Sequence, residues 1–321
     1  MIQLQKFYKW LALAALVEWL LVRTLTRAAI HVPKSPEVIA VYTAVNQIGL
    51  VSGVFVALLA IVLLLCLAWL NRRAVLLPFT WLGLAGLNLL FLFIAPPAWL
   101  ALPYQLLAMM AVVLIVGSGV WQGVAHKRRW WETAVLLFPA CALLAGLWVQ
   151  MLPNLYTLLG WPGPPPFTGL LFNVGEIFVV SSVLIWWWGY GRTRSWLLLL
   201  LATIPALLFA LSFWRDPAMT GILTIWSTGL TLFLPWPVYA LALWLVGVTV
   251  LANWQLRPTL AYAILLLIAA GYAPQMSSQL FCALIALWLL ARPLPLTQTQ
   301  TIRHRQSDNL HLEPQLMTKN G

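Results

Sequence analysis

The sequence predicts an all-α fold, a polytopic transmembrane helical bundle of about ten spans. Of its 321 residues, 63% are hydrophobic and only 8% are charged, whereas about a quarter of the residues in soluble domains are charged. A chain with so little polar surface cannot face water over a compact fold. Apolar segments recur along the whole chain, and short basic clusters separate them, as in polytopic membrane proteins.

Ten apolar segments are predicted to cross the membrane, and the first is long enough to do so at a rise of about 1.5 Å per residue. They are 10–27, 45–70, 74–95, 100–124, 131–152, 169–191, 196–214, 237–253, 258–272 and 278–290. Within 219–253, Pro235 and Pro237 interrupt the helical hydrogen bonding. We therefore expect a short lead-in and one crossing from Pro237, with two shorter crossings as the alternative. A proline-rich loop is expected at 153–166.

The basic residues fall mainly on one side when the segments alternate across the membrane. With both termini in the cytoplasm, the inner side collects 14 of the 18 Lys and Arg residues: Lys6, Lys9, Arg72, Arg73, Lys127, Arg128, Arg129, Arg192, Arg194, Arg257, Arg292, Arg303, Arg305 and Lys319. This bias predicts a plasma membrane protein (the inner membrane in bacteria) with both termini inside. It also explains the net charge of +11, so no nucleic-acid partner is expected.

The predicted domain organisation has a transmembrane domain and a tail. The transmembrane domain covers 1–292, and the polar tail 293–321 is expected to be a disordered cytoplasmic segment. Ten spans divide into two halves of five, at 8–152 and 167–291. An odd number of spans in each half makes the halves enter the membrane in opposite senses, which is the architecture of an inverted repeat.

Two glutamates are the leading candidates for proton or substrate binding. Glu18 and Glu176 each lie about nine residues into the first span of a half, and Asn173 lies three residues before Glu176, so it shares that helix face. A carboxyl group inside a membrane is costly and favours its neutral form. The functional interpretation is a proton-exchanging or solute-binding site. The alternative is a protonated glutamate that only bonds to a neighbouring helix.

A second candidate site is basic. Arg23 and Arg27 are four residues apart and therefore share a helix face, and His31 follows them. Their positive charge on the outer side opposes the general bias, which indicates a binding site for an anionic headgroup. The alternative is that these long side chains extend to the interface from a short first helix.

Other polar and small residues predict helix packing. Four polar residues are expected to form interhelical hydrogen bonds rather than to line a path: Asn46, Gln47, Asn88 and Gln105. Two glycine pairs with four-residue spacing are expected to allow close helix approach: Gly49 with Gly53, and Gly119 with Gly123.

The sequence leaves three classes of function open. The leading one is a carrier or permease for a small or amphipathic solute. The second is a membrane-embedded enzyme that acts on a lipid-linked or anionic substrate at the outer face, and the third is a structural or assembly subunit. No catalytic motif identifies a catalytic residue. The three cysteines have no metal-binding spacing, so neither a metal nor a cofactor is expected. Membrane lipids are the only partner that the composition implies.

The ten-span topology can be tested with reporter fusions. Fusions to the basic loops should report a cytoplasmic location, because positive residues are retained on that side; the fusion points are Arg73, Arg129, Arg194 and Arg257. Fusions near Pro97 and Pro164 should report the outer side. A reversed signal at any of these points in the middle of the chain would contradict the ten-span topology.

Overall fold

The computed structural model describes residues 10–11, 13–14, 35–72, 76–125, 130–162, 168–215, 236–272 and 276–292. About 90% of this described part is helical and none of it is strand. Nine α-helices follow one another from residue 36 in these ranges: α1 (Pro36–Leu70), α2 (Leu76–Phe91), α3 (Ala98–Ala125), α4 (Trp130–Leu159), α5 (Thr168–Trp186), α6 (Trp196–Arg215), α7 (Trp236–Asn253), α8 (Pro258–Tyr272) and α9 (Met276–Ala291). A π-helical turn, Trp187–Gly191, extends α5.

Four of these helices are long and apolar enough to cross a membrane by length and composition. They cover Ile39–Leu70, Ala98–Ala125, Trp130–Leu159 and Thr168–Gly191. Others are shorter; α2, α8 and α9 have 16, 15 and 16 residues. The predicted all-α fold is therefore confirmed, and these four helices support the predicted membrane location, whereas the count of ten spans and the inverted repeat stay predictions.

The helices form an antiparallel succession in which α4 packs between α3 and α5. In the second half, α6 packs on α7, and α7 also contacts α5, the π-helical turn and α8. Any meander of antiparallel helices makes contacts between successive members, so this pattern does not establish a repeat. Four arginines lie at one end of the bundle, which we call the basic end: Arg72, Arg192, Arg257 and Arg292.

Helix α9 lies at the centre of the described bundle. It contacts α1, α3, α4 and α8, and every residue from Leu280 to Ala291 is buried. A helix that is apolar on all sides is expected in such a position. Its low polarity therefore reflects contact with protein on all sides rather than with lipid.

The close approach of α3 to α9 requires a glycine. An added Cβ at Gly119 would lie 2.5 Å from Cδ2 of Leu136, 3.0 Å from Cβ of Ala291 and 3.2 Å from its Cα. The predicted role of Gly119 in close helix packing is thus confirmed. The space around Gly117, two residues earlier on the same helix, is open.

Helix α1 begins at Pro36, nine residues before the predicted start at 45. The local sequence accounts for this earlier start. The backbone N–H of Ile39 donates to the carbonyl of Ser35 at 3.1 Å, Pro36 suits the first helical position, and Glu37 lies near the positive end of the helix dipole. No described side chain between 36 and 48 is buried, so this helix extension projects beyond its described neighbours.

Helix α4 continues through Pro153 to Leu159, so the prediction of a loop at 153–166 was wrong for its first seven residues; 163–167 lie outside the described residues. Proline removes one backbone donor, the one that would bond to the carbonyl of Val149, but a membrane helix tolerates this loss when the neighbouring turns stay intact. The Asn154 amide donates to the carbonyl of Gln150 at 3.3 Å, and the Thr157 hydroxyl donates to the carbonyl of Pro153 at 2.8 Å. These bonds support the helix on both sides of the proline.

Helix α4 ends at a glycine in the left-handed conformation. Gly160 has φ +64°, and its N–H donates to the carbonyl of Thr157 at 3.3 Å, while the N–H of Trp161 donates to the carbonyl of Tyr156 at 3.1 Å. This is a Schellman C-cap. The rings of Tyr156 and Trp161 meet edge to face at 5.0 Å and supply its apolar contact.

The packing of α3 on α9 predicts different effects for two alanine substitutions. Gly119→Ala should destabilise the protein by roughly 1–3 kcal/mol, because the new methyl group overpacks the contact with Ala291. Gly117→Ala should be neutral or stabilise by up to ~1 kcal/mol through helix propensity. Thermal unfolding in detergent measures both, and equal stability of the two variants would contradict the close approach.

Candidate functional site

Helix α5 turns its polar residues toward the protein. Glu176 is 4% exposed and Ser182 is also buried, whereas Leu170 and Ile177 are 63% and 50% exposed. The whole helix is the least buried of the four long ones. A carboxyl group buried on an apolar helix that is mostly only partly buried is the arrangement expected of an intramembrane carboxyl that faces the bundle interior.

The contacts of the preceding residue, Gly175, place Glu176 about halfway along the bundle. A Cβ added to Gly175 would lie 3.5 Å from Cβ of Ala145 and 3.9 Å from the carbonyl of Ala142. Ala145 lies at the midpoint of α4, which runs from Trp130 to Leu159. Glu176 therefore lies near the middle of the α4–α5 pair, at about equal distances from the two ends of α4.

Aromatic contacts fix the α4–α5 pair between Glu176 and the basic end. The rings of Phe138 and Phe178 lie 5.9 Å apart, and the indole N–H of Trp186 donates to the carbonyl of Val135 at 3.2 Å. The hydroxyl of Ser182 donates to the carbonyl of Phe178 at 2.7 Å. These contacts hold α5 in one register, so the position of Glu176 is determined by packing on α4.

The other predicted site residues divide into two groups. Asn173 is described and is partly buried on α5, one helical turn before Glu176. Glu18, Arg23, Arg27 and His31 lie outside the described residues. The structure therefore places Asn173 and Glu176 on one helix, and the pairing of Glu18 with Glu176 stays a prediction.

A pair of buried polar side chains joins α2 to α3. The hydroxyl of Tyr104 donates to Oδ1 of Asn88 at 3.1 Å, and Nδ2 of Asn88 donates to the carbonyl of Leu84 at 2.7 Å. The ring of Phe91 packs edge to face on Tyr104 at 5.1 Å. The predicted interhelical role of Asn88 is confirmed, and Tyr104 is a partner that the sequence analysis did not identify.

A second polar pair, of which Gln105 is buried and Asn154 partly buried, joins α3 to α4. Nδ2 of Asn154 donates to Oε1 of Gln105 at 3.3 Å, which confirms the interhelical role predicted for Gln105. Nε2 of Gln105 and Nε1 of Trp81 are buried donors without an acceptor in the described part of the chain. By contrast, Asn46 and Gln47 are exposed on α1, outside any interhelical contact of this kind.

The π-helical turn carries a third polar contact, at the basic end. Nδ2 of Asn253 donates to the carbonyl of Tyr190 at 2.9 Å and to the carbonyl of Thr249 at 2.8 Å. A π-helical turn widens the helix and redirects its carbonyls, and Asn253 satisfies one of them. Asn253 and Thr249 are both buried. The signal that could have identified them is a polar residue inside an apolar helix.

Among the described residues, no group of three or more His, Cys, Asp or Glu side chains could hold a metal ion. Comparisons with protein-family models, with curated proteins and with solved structures found no match to this chain. The class of protein therefore follows from the helices alone. By their length and composition, the chain is a helical membrane protein.

The Tyr104–Asn88 hydrogen bond can be measured with a double-mutant cycle. Tyr104→Phe and Asn88→Ala should show a coupling energy of about 0.6 kcal/mol, and up to roughly 1.7 kcal/mol, the range found for interhelical hydrogen bonds in membranes. The free energy of unfolding in mixed micelles supplies the four values. Thr80→Ala is the matched control, because the Thr80 hydroxyl bonds only within α2. Coupling to Thr80 as large as that to Asn88 would contradict the assignment.

Proposed function

We propose that the chain is a carrier for a small or amphipathic solute and that the carboxyl group of Glu176 exchanges a proton or binds a polar group of the solute. The observation that carries this proposal is the burial of Glu176, 4% exposed, at mid-height on a helix most of whose described side chains are only partly buried. The proposal includes ten spans in the plasma or bacterial inner membrane, with the basic end and both termini in the cytoplasm.

The chemistry of a buried carboxyl supports this role. An ionised carboxylate in a low-dielectric interior is strongly disfavoured unless a cation or hydrogen-bond donors accompany it. The neutral acid can donate one hydrogen bond and accept others. Loss of its proton and arrival of a cationic or donor-bearing solute are therefore favourable together, whereas either one alone is costly. This linkage is what a proton-coupled carrier needs.

Polar groups on the neighbouring helices support a route to this carboxyl. Asn154 lies nine residues beyond Ala145 on α4, about 13 Å farther along the helix, and its partner Gln105 keeps a buried donor, Nε2, without an acceptor in the described ranges. Asn173 lies between these levels, one turn from Glu176. A solute entering from the end opposite the basic end would meet Gln105 and Asn154 before Asn173 and Glu176.

Glu18 is proposed as a second carboxyl of the same site, on the first span. Two negative charges in one low-dielectric site repel, so at least one of the two should stay protonated at neutral pH. Arg23, Arg27 and His31 are proposed to hold an anionic headgroup outside this path. Neither proposal depends on the other, and both concern residues outside the described ranges.

Substitution of Glu176 tests the carrier proposal. Glu176→Gln should keep the protein folded, because glutamine has the size and neutrality of the protonated acid, but it should abolish proton-coupled current in proteoliposomes. Infrared difference spectra between two pH values should show a protonated carboxyl signal in the unsubstituted protein and lose it in Glu176→Gln. Glu176→Leu should also lower stability by roughly 1–3 kcal/mol, since it removes all hydrogen bonding at a buried position.

Glu132→Gln is the matched control, because Glu132 lies in the first turn of α4, at a helix end rather than at mid-height. It should retain both the current and the infrared signal. If Glu176→Gln instead retains the current, Glu176 is structural, and the result favours a structural or assembly subunit over a carrier that uses this carboxyl. Proton-coupled current that survives in the double variant Glu18→Gln, Glu176→Gln would contradict the proposal for both carboxyl groups.

A further inference from the structure

At the basic end, two arginines stack on aromatic rings of the same π-helical turn. The guanidinium carbon of Arg257 lies 4.7 Å from the centroid of the Tyr190 ring, and that of Arg192 lies 5.7 Å from the Trp188 ring. Arg192 comes from the chain after α5, and Arg257 comes from the link between α7 and α8. Two separate elements thus bring positive charge to one short turn.

Close packing fixes the position of this turn. A Cβ added to Gly189 would lie 2.5 Å from Cζ3 of Trp131, and one added to Gly191 would lie 2.5 Å from Oγ1 of Thr249. The turn is therefore pressed against α4 on one side and α7 on the other. The hydrogen bond from Asn253 to the carbonyl of Tyr190 fixes the same turn to α7. The backbone that carries the two rings is consequently held by close packing on α4 and α7.

The two guanidinium groups remain available for an anion. In the described part of the chain, neither Arg192 nor Arg257 makes an ion pair with a carboxylate. An arginine that stacks on a ring uses the face of its planar group and keeps the N–H groups at its edge, which match a phosphate in bidentate geometry. The stack also limits side-chain motion, so less entropy is lost when an anion binds.

Exposed indole rings lie beside the two arginines. Trp130 is 71% exposed and Trp188 is 45% exposed, and their ring centroids are 6.0 Å apart. Trp131 packs edge to face on Tyr190 at 5.2 Å. Tryptophan at the end of a membrane helix favours the headgroup level of the bilayer. An anion that binds here would therefore have apolar surface within reach, which suits a phospholipid better than a free phosphate ion.

We propose that Arg192 and Arg257, held on Trp188 and Tyr190 of the π-helical turn, form a binding site for the phosphodiester headgroup of an anionic phospholipid. The guanidinium groups bind the phosphate oxygens, and Trp130 and Trp188 contact the glycerol and the upper acyl chains. This site differs from the one predicted at Arg23, Arg27 and His31, and it does not rest on the proposed carrier function.

Lipid binding to the purified full-length chain tests the site. The protein is titrated in detergent with phosphatidylglycerol and, separately, with phosphatidylcholine, and bound lipid is counted by native mass spectrometry. The unsubstituted protein should prefer phosphatidylglycerol. Each arginine near an anionic headgroup contributes about fivefold in affinity, so Arg192→Gln should weaken phosphatidylglycerol binding roughly fivefold, and Arg192→Gln with Arg257→Gln roughly thirtyfold. Binding of phosphatidylcholine should not change.

Arg72→Gln is the matched control. Arg72 also stacks on an exposed tryptophan, Trp69, at 4.9 Å, and also lies at the basic end, but Trp69 belongs to α1 rather than to the π-helical turn. It should leave the affinity unchanged. An equal fivefold loss for Arg72→Gln would show that only general surface charge attracts the lipid, and it would overturn the site.

Two further measurements separate a loss of lipid binding from a loss of folding stability. Arg192 is exposed, so Arg192→Gln should leave thermal unfolding unchanged without lipid. Arg257→Lys should keep part of the preference for phosphatidylglycerol, because it retains the charge but loses the bidentate geometry.

If 10 mM inorganic phosphate displaced the lipid completely from the unsubstituted protein, the lipid assignment would be wrong. Absence of any preference for phosphatidylglycerol in the unsubstituted protein would also overturn the proposal.

Discussion

The burial of α9 on all sides is the constraint on which the rest of the bundle depends. A helix with no polar face and no lipid face must be enclosed by other helices, and α1, α3, α4 and α8 enclose it. Since dispersion contacts rather than water exclusion hold helices together in lipid, this enclosure needs close approach, and Gly119 provides it at Ala291. The centre of the described bundle is therefore apolar and dense, and the polar groups are placed on the helices around it.

Those polar groups set the register of neighbouring helices more than they stabilise the fold. Each interhelical hydrogen bond in a membrane contributes only about 0.6 kcal/mol on average, but a one-residue shift would leave a buried amide without a partner. Asn88 with Tyr104 and Asn154 with Gln105 act in this way on successive helix pairs. Glu176 is different in kind, because the cost of its charge exceeds the gain from any single bond. Packing of α5 on α4 thus fixes the position of a titratable carboxyl along the bundle.

The sequence predicts the class of fold well because membrane length and hydrophobicity are local properties. Most described helix ends lie within a few residues of the predicted ones, and four helices are long and apolar enough to cross a membrane. Two errors have local causes. The start of α1 at Pro36 follows the capping signal Ser35-Pro36-Glu37, and the end of α4 follows the glycine at position 160. The length of an apolar segment carries neither signal. The burial of Glu176 was predictable from the cost of a carboxyl in lipid.

The partners of the polar residues could not be predicted, because they depend on the register between helices. Nothing near Asn88 in the sequence indicates Tyr104, and nothing near Tyr190 indicates Asn253 or the π-helical turn. These pairings are separated by 16 and 63 residues and arise only when the helices pack. The positions of Glu18, Arg23 and Arg27 relative to this bundle depend on the same kind of information.

The length of α1 has a mechanical consequence. Its 35 residues span about 52 Å, against a hydrocarbon thickness of roughly 30 Å, and a tilt of about 40° is the largest usually found. Tilt alone cannot bring the whole rod within the hydrocarbon core, so part of it lies outside that core. Its first 13 residues bury no described side chain, so no described neighbour encloses that end. A rotation of α1 by about 10° about its basic end would move its far tip by roughly 9 Å. Small changes in packing around α9 would thus become large displacements at the opposite surface.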